Sequence, residues 1–405
     1  DLEKAGYEIP FEVFLGFDGD KEPDIDLNFA GEYQTRAHKY TEDIFGKENV
    51  IRAGTIGTLS DKTAFGYIRN FCEKTQTELS RGEIERMQNM IVGVKRTTGQ
   101  HPGGIMIFPK DHPIHHFTAL QYPADDPKSE TITTHFSYKS ISGHVLKLDL
   151  LGHDVPSIIR MLQDLTGIDP LTIPIGDKET MAIFKNDGTE LTALGIPEFG
   201  TDFVMGMLAA THPTTFAELI RISGLSHGTD VWLGNAQDLI NSGTTNLSGV
   251  IATRDDIMTY LIHRGVEKLT AFKTMESVRK GRGLTPEMEQ AMIDQKIDPW
   301  YIDSCKKIKY MFPKAHAVAY VLMSYRIAYC KVHYPEAFYA TFFSTKIDDF
   351  SPAILLGARS VDARILEIEG NEERTTKEEQ ELSVLYVARE MYERGISFAP
   401  LSFET

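Results

Sequence analysis

The chain has 405 residues, so we expect two or three packed units rather than one compact domain. With 41% hydrophobic and 25% charged residues it has the composition of an ordinary globular protein, and its three cysteines form no CxxC pair. This argues against a disulfide framework or a zinc site and fits a reducing cytoplasm. A net charge of −16 argues against nucleic-acid binding when it is taken as a single number.

The charges are, however, segregated along the chain. Residues 1–50 carry 13 acidic and 5 basic residues, residues 264–333 carry 13 basic and 7 acidic, and residues 345–405 again carry 13 acidic and 7 basic. A protein that handles both metal ions and a polyanion needs carboxylates for the cations and a basic surface for the phosphates. An ordinary solvated surface is the alternative explanation. Because the first residue is Asp rather than Met, we also expect a fragment or a processed chain.

The first 152 residues alternate short apolar runs with turns rich in Gly and Pro. The runs 50–53, 104–108 and 145–151 predict strands, and the segments 33–45 and 61–71 predict helices. We therefore expect an α+β fold with a mixed sheet in this part.

The rest of the chain is predicted to be mostly helical. The segment 317–343 is long and apolar enough to suggest a membrane span, but Arg326, Lys331, His333 and Pro335 interrupt it. This favours a buried helix followed by a second short one. The tail from about residue 344 is acidic and contains one more amphipathic helix. Helical apolar spacing also occurs at 156–165, 214–219, 254–263, 269–279 and 286–295.

Two acidic residues lie on a predicted strand near the N-terminus. The alternation after Pro23 places Asp24 and Asp26 on one face and Ile25 and Leu27 buried on the other. Side chains two residues apart on a strand lie about 6.5–7 Å apart, which suits carboxylates that bridge two divalent ions. Mg²⁺ prefers such oxygen ligands. A surface turn or a helix cap can also contain this pattern.

A second predicted strand carries Lys147 and Asp149 on one face of an apolar run. Burying two such charges is costly unless they are paired or bound to a ligand. Two explanations stay open. The residues form a private salt bridge, or Asp149 is a third metal ligand and Lys147 contacts a phosphate or leaving group.

Two further segments could bind anions. The glycine-rich stretch 95–104 contains Arg96 and His101 and matches no standard phosphate loop, so a plain turn is the alternative. The stretch 305–316 interleaves lysines with aromatic residues, as a nucleotide or strand backbone requires, although a solvated helix face would look the same.

The chain resembles the C-family bacterial replicative polymerases, specifically the PolC type of DNA polymerase III alpha subunit. The resemblance runs from about residue 11 to 345. It rests on the segments PDIDLNF, AGTIGTLSDKTAFG, GVKRTTGQHPGG, QYPADD, LKLDLLGHD, GIPEFGT, SGLSHGTDVWLGNAQ and KKIKYMFPKAHAVAYVLMSYRIAY.

The resemblance implies a nucleotidyltransferase-like palm over 1–165, a mostly helical fingers domain over 166–345, and an acidic segment over 346–405 that leads toward absent duplex- and clamp-binding regions. It implies that the catalytic aspartates, holding two Mg²⁺ ions, are Asp24, Asp26 and Asp149. It places Arg96, His101 and Lys147 near the nucleotide triphosphate. It places Ser226, His227, Arg254 and Lys314 in the fingers, which meet the incoming nucleotide.

The implied activity is template-directed DNA synthesis from dNTPs on primer–template DNA in the cytoplasm, at the replisome. In the full-length protein a sliding clamp and other replisome subunits are the implied partners, with no membrane involved. A metal-dependent phosphodiesterase using the same carboxylates and a non-catalytic nucleic-acid clamp using 264–333 are the competing hypotheses.

The chain departs from the family pattern in what it lacks. The upstream Gly-Ser phosphate-binding motif, the exonuclease, the PHP domain and the C-terminal regions are absent, so we expect the isolated chain to be inactive. Between residues 184 and 195 it is shorter than the family, and we expect an omitted loop between Glu190 and Leu191.

Overall fold

The computed structural model describes residues 10–19, 23, 25–129, 131–186 and 191–399. The chain forms two compact units. The sheet unit is Glu22–His153, and the helical unit combines Asp1–Lys21 with Asp154–Thr405. The predicted α+β class is confirmed, because a mixed six-stranded sheet is accompanied by many helices.

The sheet has the strand order β1-β6-β3-β2-β5-β4. Strand β1 pairs parallel to β6, β3 runs antiparallel to both β6 and β2, β2 pairs parallel to β5, and β4 pairs antiparallel to β5. The two strands that carry the predicted carboxylates are therefore neighbours at one edge of the sheet. The strands are β1 (Ile25–Ala30), β2 (Val50–Thr58), β3 (Lys95–Ile107), β4 (Leu120–Gln121), β5 (Thr133–Thr134) and β6 (Leu146–His153).

Helices of the sheet unit pack against these strands or connect them. Helices α3 and α4 each begin after a serine, Ser60 or Ser80, whose side chain accepts a hydrogen bond from the first turn. After the short α1 (Glu12–Leu15) of the helical unit, the sheet unit contains α2 (Gln34–Phe45), α3 (Asp61–Thr75), α4 (Arg81–Ile91) and α5 (Tyr138–Ile141).

Helices account for the regular structure of the described part of the helical unit. They are α6 (Asp154–Thr166), α7 (Lys178–Lys185), α8 (Asp202–Thr211), α9 (Phe216–His227), α10 (Gln237–Asn241), α11 (Arg254–His263), α12 (Lys268–Arg279), α13 (Pro286–Asp294), α14 (Pro299–Lys307), α15 (Lys314–His333), α16 (Pro335–Thr345), α17 (Ala358–Glu369) and α18 (Thr376–Glu393).

Alternation of side chains builds the core of the sheet unit. On β6, Leu148 and Leu150 are buried in an apolar cluster with Val50 and Ile105, so Lys147 and Asp149 lie on the opposite face. The expectation that Leu27 is buried is wrong, because 42% of it is exposed. Strand β1 is the edge of the sheet, and only one neighbouring strand covers it.

The glycine-rich segment 95–104 is part of the long strand β3 rather than a turn, which corrects that alternative. Its residues pair with β2, where Gly54 faces Gln100 and Thr55 faces Gly99. A Cβ on Gly54 would lie 1.9 Å from the backbone oxygen of Thr134. The glycines therefore allow close contact between strands, which turn composition alone does not reveal.

The apolar segment 317–343 forms two helices, as predicted. Helix α15 ends at His333 and α16 begins at Pro335, which has no N–H to continue the preceding helix. No helix in the described ranges combines the length and apolarity needed to cross a bilayer. Both helices instead contribute to one large core that includes Tyr325 and Tyr339.

Candidate active site

The register of the sheet places two of the predicted aspartates side by side. In the parallel pairing of β1 with β6, Asp26 is the partner of Asp149. Neighbouring strands lie about 4.7–4.9 Å apart, and partner residues point to the same face. Asp26 is exposed, and the side chain of Asp149 is 21% exposed. The third predicted aspartate, Asp24, lies outside the described residues.

The two oxygens of Asp149 have different surroundings. Oδ2 lies 2.7 Å from Nζ of Lys147, so the salt bridge considered from the sequence is present. Oδ1 is buried and has no hydrogen-bond partner within the described part of the chain, and Nδ1 of His101, 3.7 Å away, is beyond hydrogen-bond distance. A buried carboxylate oxygen without a partner is energetically costly, and a bound cation would satisfy it.

His101 is held as a neutral ring by the backbone beside it. The N–H groups of Gly103 and Gly104 donate to Nδ1 at 3.2 and 2.6 Å, so the ring proton is on Nε2. Burial, and then the nearby charge of Lys147, lowers the pKa of His101, although Asp149 acts in the opposite direction. Gly104 is also the β3 partner of Asp149, and a Cβ there would lie 2.8 Å from Nδ1 of His101.

Three residues that support this region were missed from the sequence. Arg52 on β2 donates to Oε1 of Gln100 at 2.9 Å and bonds the ring of His38. Burial lowers the pKa of both Arg52 and His38. Gln34 donates to the carbonyl oxygens of Pro102 at 3.0 Å and Leu150 at 2.8 Å, which fixes α2 to the sheet. Arg52 is a charged residue within the predicted apolar strand 50–53, and this is the sequence signal that could have identified it as a residue of the site.

Arg96 does not lie beside the aspartates. It is eight residues along β3 from Gly104, or roughly 26 Å at about 3.3 Å per residue. Its guanidinium lies 5.5 Å from the ring centre of Tyr67, an arrangement that gives a cation–π contact. The structure thus gathers Asp26, Lys147, Asp149 and His101, and leaves Arg96 at the far end of the strand.

A second cluster, in the helical unit, contains the predicted fingers residues Ser226 and His227 at the end of α9. Nε2 of His227 lies 2.7 Å from Oε2 of Glu198, and Nδ1 lies 2.7 Å from the carbonyl oxygen of Ser223. The hydrogen bond with Glu198 is the main cause of a raised pKa for His227. Oγ of Ser226 donates to the oxygen of Ser223 at 3.0 Å.

Arg254 and Lys314 meet the same cluster through the segment between α14 and α15. The N–H of Arg254 donates to the oxygen of Phe312 at 3.1 Å, and the N–H of Lys314 donates to Oδ2 of Asp255 at 2.7 Å. The ring of Phe312 lies 5.5 Å from that of His227. Asp255 is buried, and burial raises its pKa. The ring of His227 and the backbone of Arg254 therefore both contact Phe312, and Lys314 follows two residues later.

The described side chains of neither cluster form a group of three or more possible metal ligands. Within the ranges that the structure describes, no three His, Cys, Asp or Glu side chains lie close enough to hold an ion together. Asp26 and Asp149 supply two carboxylates, and the third predicted ligand is the undescribed Asp24.

Comparison with known proteins gives two family matches. Residues 1–83 and 69–152 match the bacterial DNA polymerase III alpha NTPase domain. Residues 155–298 match the bacterial DNA polymerase III alpha subunit finger domain. The boundary between these matches lies close to the boundary between the two compact units.

Several curated relatives are similar over nearly the whole chain. The DNA polymerase III PolC-type of Caldanaerobacter subterraneus subsp. tengcongensis is 57% identical over 409 residues, which cover 98% of this chain and 29% of the relative. That of Thermotoga petrophila is 56% identical, with 98% and 30% covered. That of Staphylococcus saprophyticus is 54% identical, with 100% and 29% covered. The chain thus spans less than a third of the length of these relatives.

Proposed function

Because the chain belongs to the bacterial DNA polymerase III alpha subunit family, in its PolC type, we propose that it is the palm and fingers part of a template-directed DNA polymerase. The observation that carries this proposal is the pairing of Asp26 with Asp149 on neighbouring strands. In this proposal 1–165 acts as palm, 166–345 as fingers, and 346–405 leads toward further regions of the longer protein.

The proposed reaction is attack of the primer 3′-hydroxyl on the α-phosphate of a dNTP. A bond forms between the hydroxyl oxygen and the phosphorus, and the bond to the bridging oxygen breaks, which releases pyrophosphate. Two Mg²⁺ ions, when bound, would supply activation of the hydroxyl and neutralisation of the leaving group. Asp26, Asp149 and the undescribed Asp24 are the proposed ligands. The buried oxygen of Asp149, which has no hydrogen-bond partner in the described ranges, supports this assignment.

Residues around the carboxylates have separate proposed roles. Lys147 balances the charge of Asp149 and supplies an ammonium group for the triphosphate. His101, whose proton is on Nε2, offers a neutral donor without adding repulsion toward the ions. Arg96 keeps its proposed contact with the triphosphate region only if the nucleotide extends along β3.

The second cluster has the chemistry that an incoming dNTP requires. Arg254, Lys314 and His227 are cationic, and the rings of Phe312 and His316, with centres 4.9 Å apart, offer a stacking surface. Ser226 belongs to the same proposed nucleotide contact. Primer–template DNA is the proposed partner of the chain, and a sliding clamp and other replisome subunits are proposed for the whole protein, acting at the nucleoid.

Primer extension by the intact polymerase that contains this chain tests the proposal. We expect Asp149→Asn and Asp26→Asn to reduce single-turnover incorporation by roughly a thousandfold or more, because several kcal/mol of charge stabilisation in the transition state is lost. Binding of primer–template should persist. Asp43→Asn, which removes an exposed carboxylate from α2 of the same unit, is the matched control and should be active.

Other outcomes would overturn the proposal. Near-normal primer extension by Asp149→Asn would show that the carboxylates take no part in the reaction. Release of nucleotides from DNA without added dNTPs would indicate a phosphodiesterase. Binding of DNA with no incorporation by the parent protein would indicate a non-catalytic clamp.

A further inference from the structure

We infer that Glu198 is a positioning residue that keeps His227 doubly protonated, so that the fingers present a cation to the phosphates of an incoming nucleotide. This inference rests on the proposed function. Glu198 lies in the loop between α7 and α8, and its side chain is 18% exposed, against 29% for His227.

Both nitrogens of the His227 ring face oxygen acceptors. Nε2 lies 2.7 Å from Oε2 of Glu198, and Nδ1 lies 2.7 Å from the carbonyl oxygen of Ser223. A neutral imidazole has one N–H and could satisfy only one of these contacts, whereas an imidazolium satisfies both.

The hydroxyl of Ser226 does not change this assignment. Its oxygen lies 3.2 Å from Nδ1 of His227, but the hydroxyl also donates to the oxygen of Ser223 at 3.0 Å. The shorter contact of Nδ1, at 2.7 Å, is with the carbonyl oxygen of Ser223, which cannot donate. Nδ1 must therefore carry a proton, since two lone pairs at this distance would repel each other.

The remaining neighbours of the ring lie on α15 and the segment before it. The ring of Phe312 is 5.5 Å and that of His316 is 6.1 Å from the ring of His227. Glu198 and His316 are titratable groups beside the imidazole, and Arg254 and Lys314 approach the same segment through their backbone N–H groups. The pKa of His227 is raised chiefly by the hydrogen bond with Glu198, and burial opposes this effect.

The backbone at Glu198 indicates that its placement is imposed by the fold. Its φ is +69°, a left-handed conformation that residues other than glycine rarely adopt. Such conformations persist when the surroundings determine them, and they concentrate at functional positions. Ile196 and Phe199, on either side of Glu198, are 2% and 0% exposed and hold the loop in the core. A Cβ on Gly200 would lie 2.8 Å from the nitrogen of Gly195, so the turn is closed tightly.

The start of the same loop is fixed from α15. Nζ of the buried Lys331 donates to the carbonyl oxygens of Thr192 at 2.8 Å and Leu194 at 2.5 Å. The loop is therefore anchored on both sides of the carboxylate that faces His227. A loop anchored in this way can hold one charge in place while the nucleotide exchanges.

The chemical consequence is a cation that persists to a higher pH than that of an imidazole without a carboxylate beside it. An imidazole with the ordinary pKa of about 6.5 is mostly neutral above pH 7, and it then offers a triphosphate no charge. With Glu198 beside it, His227 adds a protonated ring to the cluster that also contains Arg254 and Lys314.

Kinetics of the intact polymerase test this inference. For Glu198→Gln, which keeps the shape and one acceptor but removes the charge, we expect the KM for dNTP at pH 8 to rise by about tenfold, with kcat changed less than twofold. At a pH low enough to protonate the imidazole without the carboxylate, the difference from the parent should largely disappear. Asp202→Asn, which removes an exposed charge at the start of α8, is the matched control and should follow the parent at every pH.

A second variant covers the possibility that Glu198→Gln disturbs folding. His227→Arg carries a charge that does not titrate in this range, so its KM should be independent of pH with or without Glu198→Gln. A KM for His227→Arg that follows the pH dependence of Glu198→Gln would overturn the inference.

Acylation by diethyl pyrocarbonate, which modifies the neutral but not the protonated form of imidazole, gives a readout separate from activity. Mass spectrometry of the peptide that contains His227 should show that the parent becomes reactive at a higher pH than Glu198→Gln does. An unchanged midpoint would overturn the ion pair. A shifted midpoint with an unchanged KM would overturn the nucleotide role. A parent that incorporates no dNTP would overturn the proposed function, whatever the reactivity shows.

Discussion

Asp149 has one oxygen that is paired with Lys147 and one that is buried and has no hydrogen-bond partner among the residues that the structure describes. The ammonium compensates part of the carboxylate charge, and the remaining oxygen is oriented for a ligand. At the scale of single residues, this difference between the two oxygens allows two contributions to the stability of the sheet unit to be measured separately. One comes from the salt bridge and the other from a bound cation.

Replacement of Lys147 by Met should destabilise the sheet unit and make its stability depend on the concentration of divalent ions. Because both side chains are about one-fifth exposed, we expect a loss of about 1–3 kcal/mol in the free energy of unfolding, below the value for fully buried pairs. Added Mg²⁺ should restore more stability to Lys147→Met than to the parent. Chemical denaturation with and without Mg²⁺ measures this, with the exposed Lys139→Met as control. An equal effect of Mg²⁺ on all three proteins would contradict the prediction.

The histidines of the two units should respond to pH in opposite directions. The pKa values of His38 and His101 are lowered, so the unfolded chain takes up protons first as the pH falls. Their contribution to stability is complete above about pH 6.5 and is lost as the pH falls toward the lowered values. The pKa of His227 is raised, so its contribution is complete below about pH 6.5 and is lost as the pH rises through the raised value.

Hydrogen exchange followed by mass spectrometry measures the two responses separately. Between pH 7 and 5.5, peptides from β3 should lose protection and peptides from α9 should keep it, after correction for intrinsic exchange rates. His101→Gln should reduce the response of β3. Greater protection of β3 at the lower pH would contradict the assignment of a neutral His101.

At the scale of elements, the glycines of β2 and β3 determine how closely strands approach. Gly54→Ala should lower the free energy of unfolding by about 2–4 kcal/mol. The new Cβ would lie 1.9 Å from the backbone oxygen of Thr134, which can move away only if its strand moves with it. Gly66→Ala in α3 is the matched control. It has open space around the position of a Cβ and should gain about 0.5–1 kcal/mol through helix propensity. Thermal unfolding of both variants compares them, and equal melting temperatures would count against the close packing of β2.

The elements themselves were largely predictable, and their pairing was not. Alternation indicated that Lys147 and Asp149 share a face of a strand, and 3.6-residue spacing indicated α15. The pairing of Asp26 with Asp149 depends on contacts between segments far apart in the chain, which a local pattern does not contain. The turn considered as an alternative at 95–104 is not present, because this segment is part of β3 and its glycines allow contact with neighbouring strands.

At the scale of the whole molecule, a buried ion pair joins distant parts of the helical unit. Nζ of Lys331, on α15, is 0% exposed and lies 2.8 Å from Oε1 of Glu390 on α18. Tyr339 donates to the same carboxylate oxygen at 2.8 Å. The pair thus connects α15, α16 and α18 with the loop that carries Glu198.

Lys331→Met should destabilise the helical unit by about 3–5 kcal/mol, because it leaves the charge of Glu390 buried without its partner. The double variant Lys331→Met/Glu390→Gln should recover part of this loss. Chemical denaturation gives both values. A double variant less stable than the single one would show that the carboxylate tolerates burial alone. The sequence indicated only that Lys331 interrupts an apolar helix, and it could not identify a partner on α18.

The sequence resemblance identified the family and the fold class, since both depend on motifs that are contiguous in the chain. It could not reveal Glu198, because the role inferred for this residue depends on a loop that brings it to α9. The chain covers less than a third of its curated relatives, so the activity proposed here belongs to the longer protein.

Iron-directed cleavage of the intact polymerase tests most directly whether Asp26 and Asp149 bind a divalent cation between β1 and β6. Fe²⁺ bound in place of Mg²⁺ reduces added hydrogen peroxide to hydroxide and a hydroxyl radical, becoming Fe³⁺, and the radical cuts the nearby backbone. We expect cuts in both β1 and β6 that excess Mg²⁺ suppresses, that disappear in Asp149→Asn, and that persist in Asp43→Asn. Cuts that avoid these two strands, or that remain unchanged in Asp149→Asn, would contradict the account.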